Sequence, residues 1–258
     1  MGHVHLGVLP RTRKWKDVVE SLSSGAADEV VVATSAKAAE RDLLSATDSP
    51  VFVEAVRLLL AIPNAARADD FGDALRALGL EVGNRPELLD ITMAVDRRLD
   101  VVRRMAGGAN DLGEIAARAL ITTFSETVGD QLPGLFEATP EDVQAASKKL
   151  SWSRGIAGLS RAFYSRLLSQ SLSYWLDRTL AQQVGPGDRF SGATARGAFD
   201  VALNHYAHES TRIIQEFSGG WYGKTIHDKG GISSHDAAVF GAVALKKIVS
   251  ELQVRRSQ

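Results

Sequence analysis

The chain has 258 residues, a formal net charge of −1 and no cysteine. That length suffices to bury a real core, in one large domain or two small ones. Near-neutrality leaves no global pull toward nucleic acid or membrane, so any such binding must come from local patches. The missing cysteine excludes disulfides, thiolate catalysis and zinc sites built on sulfur.

The longest uncharged run, residues 167–176, is far shorter than the ~20 apolar residues a spanning helix requires. The first residues lack the apolar core and cleavage site of a secretory signal. These features predict a soluble, cytoplasmic protein with no membrane contact, and the Ala, Arg, Leu, Asp and Gly usage resembles coding in a GC-rich bacterial genome.

In chain order, residues 3–9 alternate and are rich in β-formers, so they read as a strand that places His3 and His5 on one face and ends at Pro10. Arg11, Arg13, Lys14 and Lys16 follow around Trp15, where a helix begins. Such a cluster at a helix N-terminus is either an anion site or a solvated start balanced by Asp17 and Glu20. Residues 29–33 read as a second strand, which completes a small β-α-β element with parallel strands. Residues 80–82 are a weaker third candidate.

From Lys37 onward the pattern predicts helices separated by clear punctuation. Ser49-Pro50 caps a helix over residues 51–62 that stops at Pro63. Asp69 or Asp70 opens a short helix ending at Gly79, and Asn84 to Glu87 forms a capping box for a helix reaching Met105. Asp111 opens the next, and Thr139-Pro140-Glu141-Asp142 combines cap, proline and acids in the clearest helix start of the chain.

Residues 143–176 contain no Asp or Glu, while Lys148, Lys149, Arg154, Arg161 and Arg166 are interleaved with Trp152, Phe163, Tyr164, Tyr174 and Trp175. Cations neutralising phosphates and rings stacking on bases are the chemistry of a nucleic-acid surface. The same stretch, apolar or small on most sides with many serines, also reads as a helix buried in the middle of a bundle.

Residues 193–217 then predict one long amphipathic helix with His205, His208 and Glu209 on its polar stripe. Two imidazoles and a carboxylate on one turn resemble half of a metal site for zinc, manganese or iron, which His227, or His235 with Asp236, would complete; the simpler account is the solvated face of a surface helix with ordinary charge pairs. Residues 218–225 end in Gly-Lys-Thr, but the earlier glycine of a phosphate-binding loop is replaced by Ser218 and no strand precedes it. Gly219 and Gly220 instead predict a left-handed helix end, with Trp221 and Tyr222 folding back to pack or to present a recognition surface, and Lys224 beside them as a phosphate contact. Ser233 and Asp236 form a capping box for a last helix reaching about Arg255.

The expected fold is predominantly α-helical, about nine or ten helices in bundle-like packing plus the N-terminal β-α-β element. It is one domain over 1–258, with a soft division between a mixed part, 1–134, and an all-helical part, 139–258. The first functional reading is a non-catalytic helical subunit or adaptor of an intracellular bacterial multiprotein assembly, associating with other protein subunits and with nucleic acid as a further partner. Trp15, Trp152, Trp175 and Trp221 are its exposed aromatic candidates. The second is a metal-dependent hydrolase or nuclease with His205, His208 and Glu209 as ligands or general base; the sequence requires no cofactor, though it admits a divalent metal. The third is nucleic-acid binding through residues 148–175.

Overall fold

The computed structural model describes residues 13–108, 110–134, 137–180, 183–185 and 187–256. In chain order the elements are α1 (Arg13–Ser23), α2 (Asp28–Ser45), a short 3-10 turn (Ala46–Asp48), α3 (Pro50–Ala65), α4 (Phe71–Ala77) and α5 (Leu88–Met105). There follow α6 (Asp111–Gly129), α7 (Pro140–Leu150), α8 (Ser153–Leu180), α9 (Ala193–Ser210), α10 (Arg212–Lys229) and α11 (Ser234–Arg256). The eleven α-helices, against nine or ten expected, pack as a bundle, and no strand occurs among the described residues apart from an isolated bridge between Val184 and Phe190.

The expected β-α-β element is therefore corrected. Its first strand, residues 3–9, lies outside the described residues, but its second, residues 29–33, is the first turn and a half of α2. Asp28 and Glu29 sit in the first turn of that helix, where its dipole favours carboxylates, and Val31, Val32, Ser35, Ala36, Ala39 and Leu43 are buried at helical spacing. A β-branched run of three valines carries a weak local preference that burying a helical face overrides. Residues 80–82 are a connection between α4 and α5.

Other boundaries follow the expected chemistry. The Ser49 hydroxyl accepts from the Phe52 amide, Asp70 from Asp73, and Thr139 from Asp142, whose carboxylate reaches back to the Thr139 amide at 2.9 Å. The box that opens α5 lies three residues later than expected, with Glu87 as cap and Asp90 returning to its amide at 2.9 Å. Helix α3 passes through Pro63 and ends at Ala65.

The largest departure after the β-α-β element is in the C-terminal third. The single helix expected over 193–217 is split at Thr211, which has φ −101° and ψ 6° and whose Oγ1 donates to the carbonyls of Ala207 and His208, both at 3.0 Å. Gly219 and Gly220, expected to end a helix, lie inside α10, whose left-handed cap is Gly230 at φ 73°.

Helix α8 organises the packing. Its buried rows, Ile156, Ser160, Tyr164, Leu168, Leu172, Leu176 and Leu180 beside Leu159, Phe163, Leu167 and Ser171, advance by four residues at each step. A step of four on a helix of 3.6 residues per turn rotates about 40°, so between residues 156 and 180 the apolar stripe winds roughly 240° around the axis. One neighbour cannot cover such a stripe, and α8 accordingly packs on α10 and α7, on α6 and α3, and on α9 and α2. Helices on either side of the expected soft division touch directly, α6 with α8 and α3 with α11. No helix among the described residues is long and apolar enough to cross a membrane.

A buried carboxylate, Glu54, sits against this core. Glu54 on α3 accepts from Arg57 Nε and Nη2 at 2.7 and 2.8 Å and from Arg98 Nε of α5 at 2.7 Å, while Arg57 Nη2 also reaches the Leu78 carbonyl at 2.8 Å. Burial by itself would raise the Glu54 carboxyl pKa; the hydrogen bonds and charges of the two arginines outweigh it and hold the pKa below its ordinary value. A depressed carboxyl stabilises the fold above its unfolded pKa, and that contribution is lost as pH falls through the folded one. Glu54→Ala, which leaves Arg57 and Arg98 facing each other, is expected to cost about 3 kcal/mol in urea unfolding at pH 7. The difference from wild type should shrink below about pH 4.

Candidate nucleic-acid interface

The histidine candidates do not converge. His205 and His208 are exposed on α9 with Glu209 half-buried beside them, His227 is exposed near the end of α10, and His235 is exposed in the first turn of α11. Among the described residues no group of three or more His, Asp or Glu side chains is arranged to hold a metal ion. Glu209 instead lies 3.7 Å from Arg161. Burial, then the charge of Arg161, lowers the His208 pKa, which favours the neutral imidazole. Asp236 is occupied by the capping box with Ser233 and by an ion pair with Lys229 at 2.5 Å.

The acid-free stretch divides into two parts with different fates. From Ile156 on it is the buried helix α8: Phe163 and Tyr164 are fully enclosed, and burial pushes the Tyr164 phenol well above its ordinary range. Trp175 packs on Trp15 with ring centroids 5.8 Å apart, and Arg161 and Arg166 are drawn into pairs with Glu209 and Glu126. Stacking on a run of exposed rings is excluded for this part. Of the four tryptophans, Trp15 is buried, Trp175 and Trp221 are half-buried, and Trp152 is exposed, at 57%.

Trp152 stands in the two-residue corner between α7 and α8, with Lys148 and Lys149 exposed just before it and Arg154 exposed just after it. Why the corner is sharp can be read from Gly155. A Cβ there would lie 2.5 Å from the Lys149 carbonyl oxygen and 2.7 Å from Leu150 Cα, so only glycine lets α8 start this close to the end of α7. The Ser151 hydroxyl donates to the Lys148 carbonyl at 2.7 Å and closes the turn.

A fourth cation arrives from elsewhere in the chain. Gln144 on α7 donates through Nε2 to the carbonyls of Ala66 and Ala68 at 3.3 and 2.8 Å, which lays the C-terminus of α3 along α7 and puts the Arg67 guanidinium over the Trp152 ring, 5.2 Å from its centroid. Lys148 lies one turn beyond Gln144, on the same face. The stacked Arg67 and Trp152 thus lie at the same helix corner as the exposed Lys148, Lys149 and Arg154. The carboxylates nearest in sequence are Asp142, at the opposite end of α7, and Asp69 and Asp70, of which Asp70 caps α4. Arg67 was not legible as a candidate, because what brings it here is the Gln144 contact across 78 residues of sequence.

The remaining candidates lie apart from this corner. Arg11 is outside the described residues. Arg13 and Lys14 line a hollow of about 500 Å³ with Trp15 and Trp175, and Lys14 reaches the Lys37 carbonyl at 3.3 Å and Glu40 at 3.9 Å. Arg161 and His208 meet in a cleft of about 600 Å³ with Ser165, Ser169, Asn204 and Gln215. Arg161 is engaged there, donating to Gln215 Oε1 at 2.9 Å and to the His208 carbonyl at 3.2 Å. Tyr222 is buried and Trp221 packs on Phe240 at 4.7 Å, so of the expected recognition surface Lys224 alone is exposed.

The adjacent Gly219 and Gly220 of α10 differ in what surrounds them. A Cβ on Gly219 would meet the Ser153 carbonyl oxygen at 2.7 Å at the start of α8, whereas nothing lies within 4 Å of one on Gly220. Gly219→Ala is expected to destabilise the protein by about 1–3 kcal/mol, and Gly220→Ala to stabilise it by up to about 1 kcal/mol, both read from urea unfolding midpoints. Compared with protein-family models, with curated proteins and with solved structures, the chain matches none.

Proposed function

We propose that this protein is a non-catalytic helical subunit that contacts a polyanion, single-stranded nucleic acid foremost, through the corner between α7 and α8. The observation that carries the reading is the Arg67–Trp152 stack, exposed among Lys148, Lys149 and Arg154 in a stretch free of carboxylates from residue 143 to 176. An indole with one accessible edge offers a stacking platform to any base, and the guanidinium above it adds cation–π attraction. The flanking cations supply the phosphate contacts, which a chain with a net charge of −1 can provide only locally.

The cost of fixing such flexible side chains is reduced by the corner itself. Gly155 and the Ser151 turn hold Lys149, Trp152 and Arg154 on a rigid junction between two packed helices. Non-catalytic is the simpler reading because the acid–base and metal candidates are distributed over α9, α10 and α11, each with its own local explanation as cap, ion pair or solvated face.

Titration of fluorescein-labelled DNA and RNA oligonucleotides by anisotropy over a range of salt tests this. With four cations engaged on single strands, the slope of log Kobs against log salt is expected near −3. Trp152→Ala should weaken single-strand binding by about 1–3 kcal/mol, and replacing Lys148, Lys149 and Arg154 together by Glu should abolish it. Binding that is absent, or that responds to neither salt nor these changes, removes the proposal.

A further inference from the structure

Helix α5 is apolar on both sides. Ile91, Ala94, Val95 and Leu99 face the core, yet Leu89, Met93, Val101 and Met105 on its outer surface are 66%, 49%, 37% and 82% exposed. One helix thus carries four of the large exposed hydrophobic side chains of the molecule, with spacings of four, eight and four residues. That order reads the same from either end. Its centre is Arg97.

One pair of opposite charges on this face obeys the same symmetry, while Asp100 and Arg103 pair with each other and stand outside it. Asp90 and Arg104 each lie seven residues from Arg97, two turns away, so both return to within about 20° of its side of the helix. Asp96 and Arg98, its neighbours in sequence, lie about 100° to either side of this face, and Arg98 is turned inward to Glu54. A helix laid antiparallel on this face with Arg97 opposite Arg97 would set Met93 against Val101, Asp90 against Arg104 and Leu89 toward Met105, twice over. A second copy of this chain meets these requirements, since a two-fold contact must be complementary to itself.

We infer that α5 is a self-association surface, through which two copies pair antiparallel about Arg97. The groups at the contact are prepared for it. Asp90 spends one carboxylate oxygen on the Glu87 amide and keeps the other outward, and Arg104 is exposed with no ion pair among the described residues. Arg97, the one residue that meets its own charge, donates through Nη2 to the Glu81 carbonyl at 3.1 Å, which draws its guanidinium off the centre line. Beside it a hollow of about 450 Å³, lined by Gly79, Val101 and the charged Arg97, Asp100 and Arg104, leaves room for a side chain of the second copy. The interface is separate from the α7–α8 corner and does not depend on the polyanion reading.

A chain without cysteine makes the register directly measurable. Wild-type protein in sedimentation equilibrium is expected to show a monomer–dimer equilibrium, and Met93→Glu with Val101→Glu to be monomeric while keeping its far-UV circular dichroism. Arg104→Glu, which opposes Asp90 of the other copy with a like charge, should raise the dimer dissociation constant about tenfold or more. With a short bismaleimide, Arg97→Cys should cross-link to itself; Met93→Cys and Val101→Cys should each fail alone and cross-link when mixed. A wild-type chain that sediments as a monomer throughout the concentration range, or Met93→Cys linking efficiently to itself, overturns the inference.

Discussion

A helix of 28 residues whose buried rows advance by four cannot be covered from one direction. Its apolar stripe turns as it climbs, so each successive stretch of α8 must find a different neighbour: α10 at the start, α6 and α9 along the middle, α2 toward the end. That requirement explains why so many helices surround one, and why two close approaches are built of glycine, Gly155 at the turn into α8 and Gly219 against Ser153. It also explains the absence of acids. A carboxylate anywhere on this winding stripe would need a buried partner, as Glu54 on α3 needs both Arg57 and Arg98.

The proposed polyanion-binding surface is a by-product of the same constraint. Where α8 begins it is enclosed on one side only, and the residues just before it and in its first turn, Lys148, Lys149, Trp152 and Arg154, share the acid-free character of the stretch without its burial. Farther along, the cations are consumed in pairs, Arg161 with Glu209 and Arg166 with Glu126. Accessible positive charge therefore concentrates at one end of the helix, and Arg67 reinforces it from α3.

Helix starts were legible because capping is local chemistry: Ser49, Asp70, Thr139 and Ser233 each bond an amide within three residues of themselves. The burial of α8 was legible too, from small and apolar residues on most of its sides. What failed was the reading of short segments whose state is decided by distant partners. Residues 29–33 look like a strand and become helix because α2 has α1, α9 and α11 to pack against. Gly219 looks like a helix end and is a contact point. The split at Thr211 rests on hydroxyl bonds to carbonyls a turn behind, which no apolar periodicity encodes. Of the candidate surface, Lys148, Lys149, Arg154 and Trp152 were visible in the chain, but not that Trp152 alone among the tryptophans stays open, nor that Arg67 joins it.

Amide hydrogen exchange, with and without a single-stranded oligonucleotide at low salt, tests the division of the acid-free stretch most directly. Residues 159–176 should exchange slowest in the free protein, and added oligonucleotide should slow exchange in residues 64–68 and 148–155 while leaving the centre of α8 unchanged. Rapid exchange along the centre of α8, or protection by the oligonucleotide confined to helices remote from the corner, would contradict it.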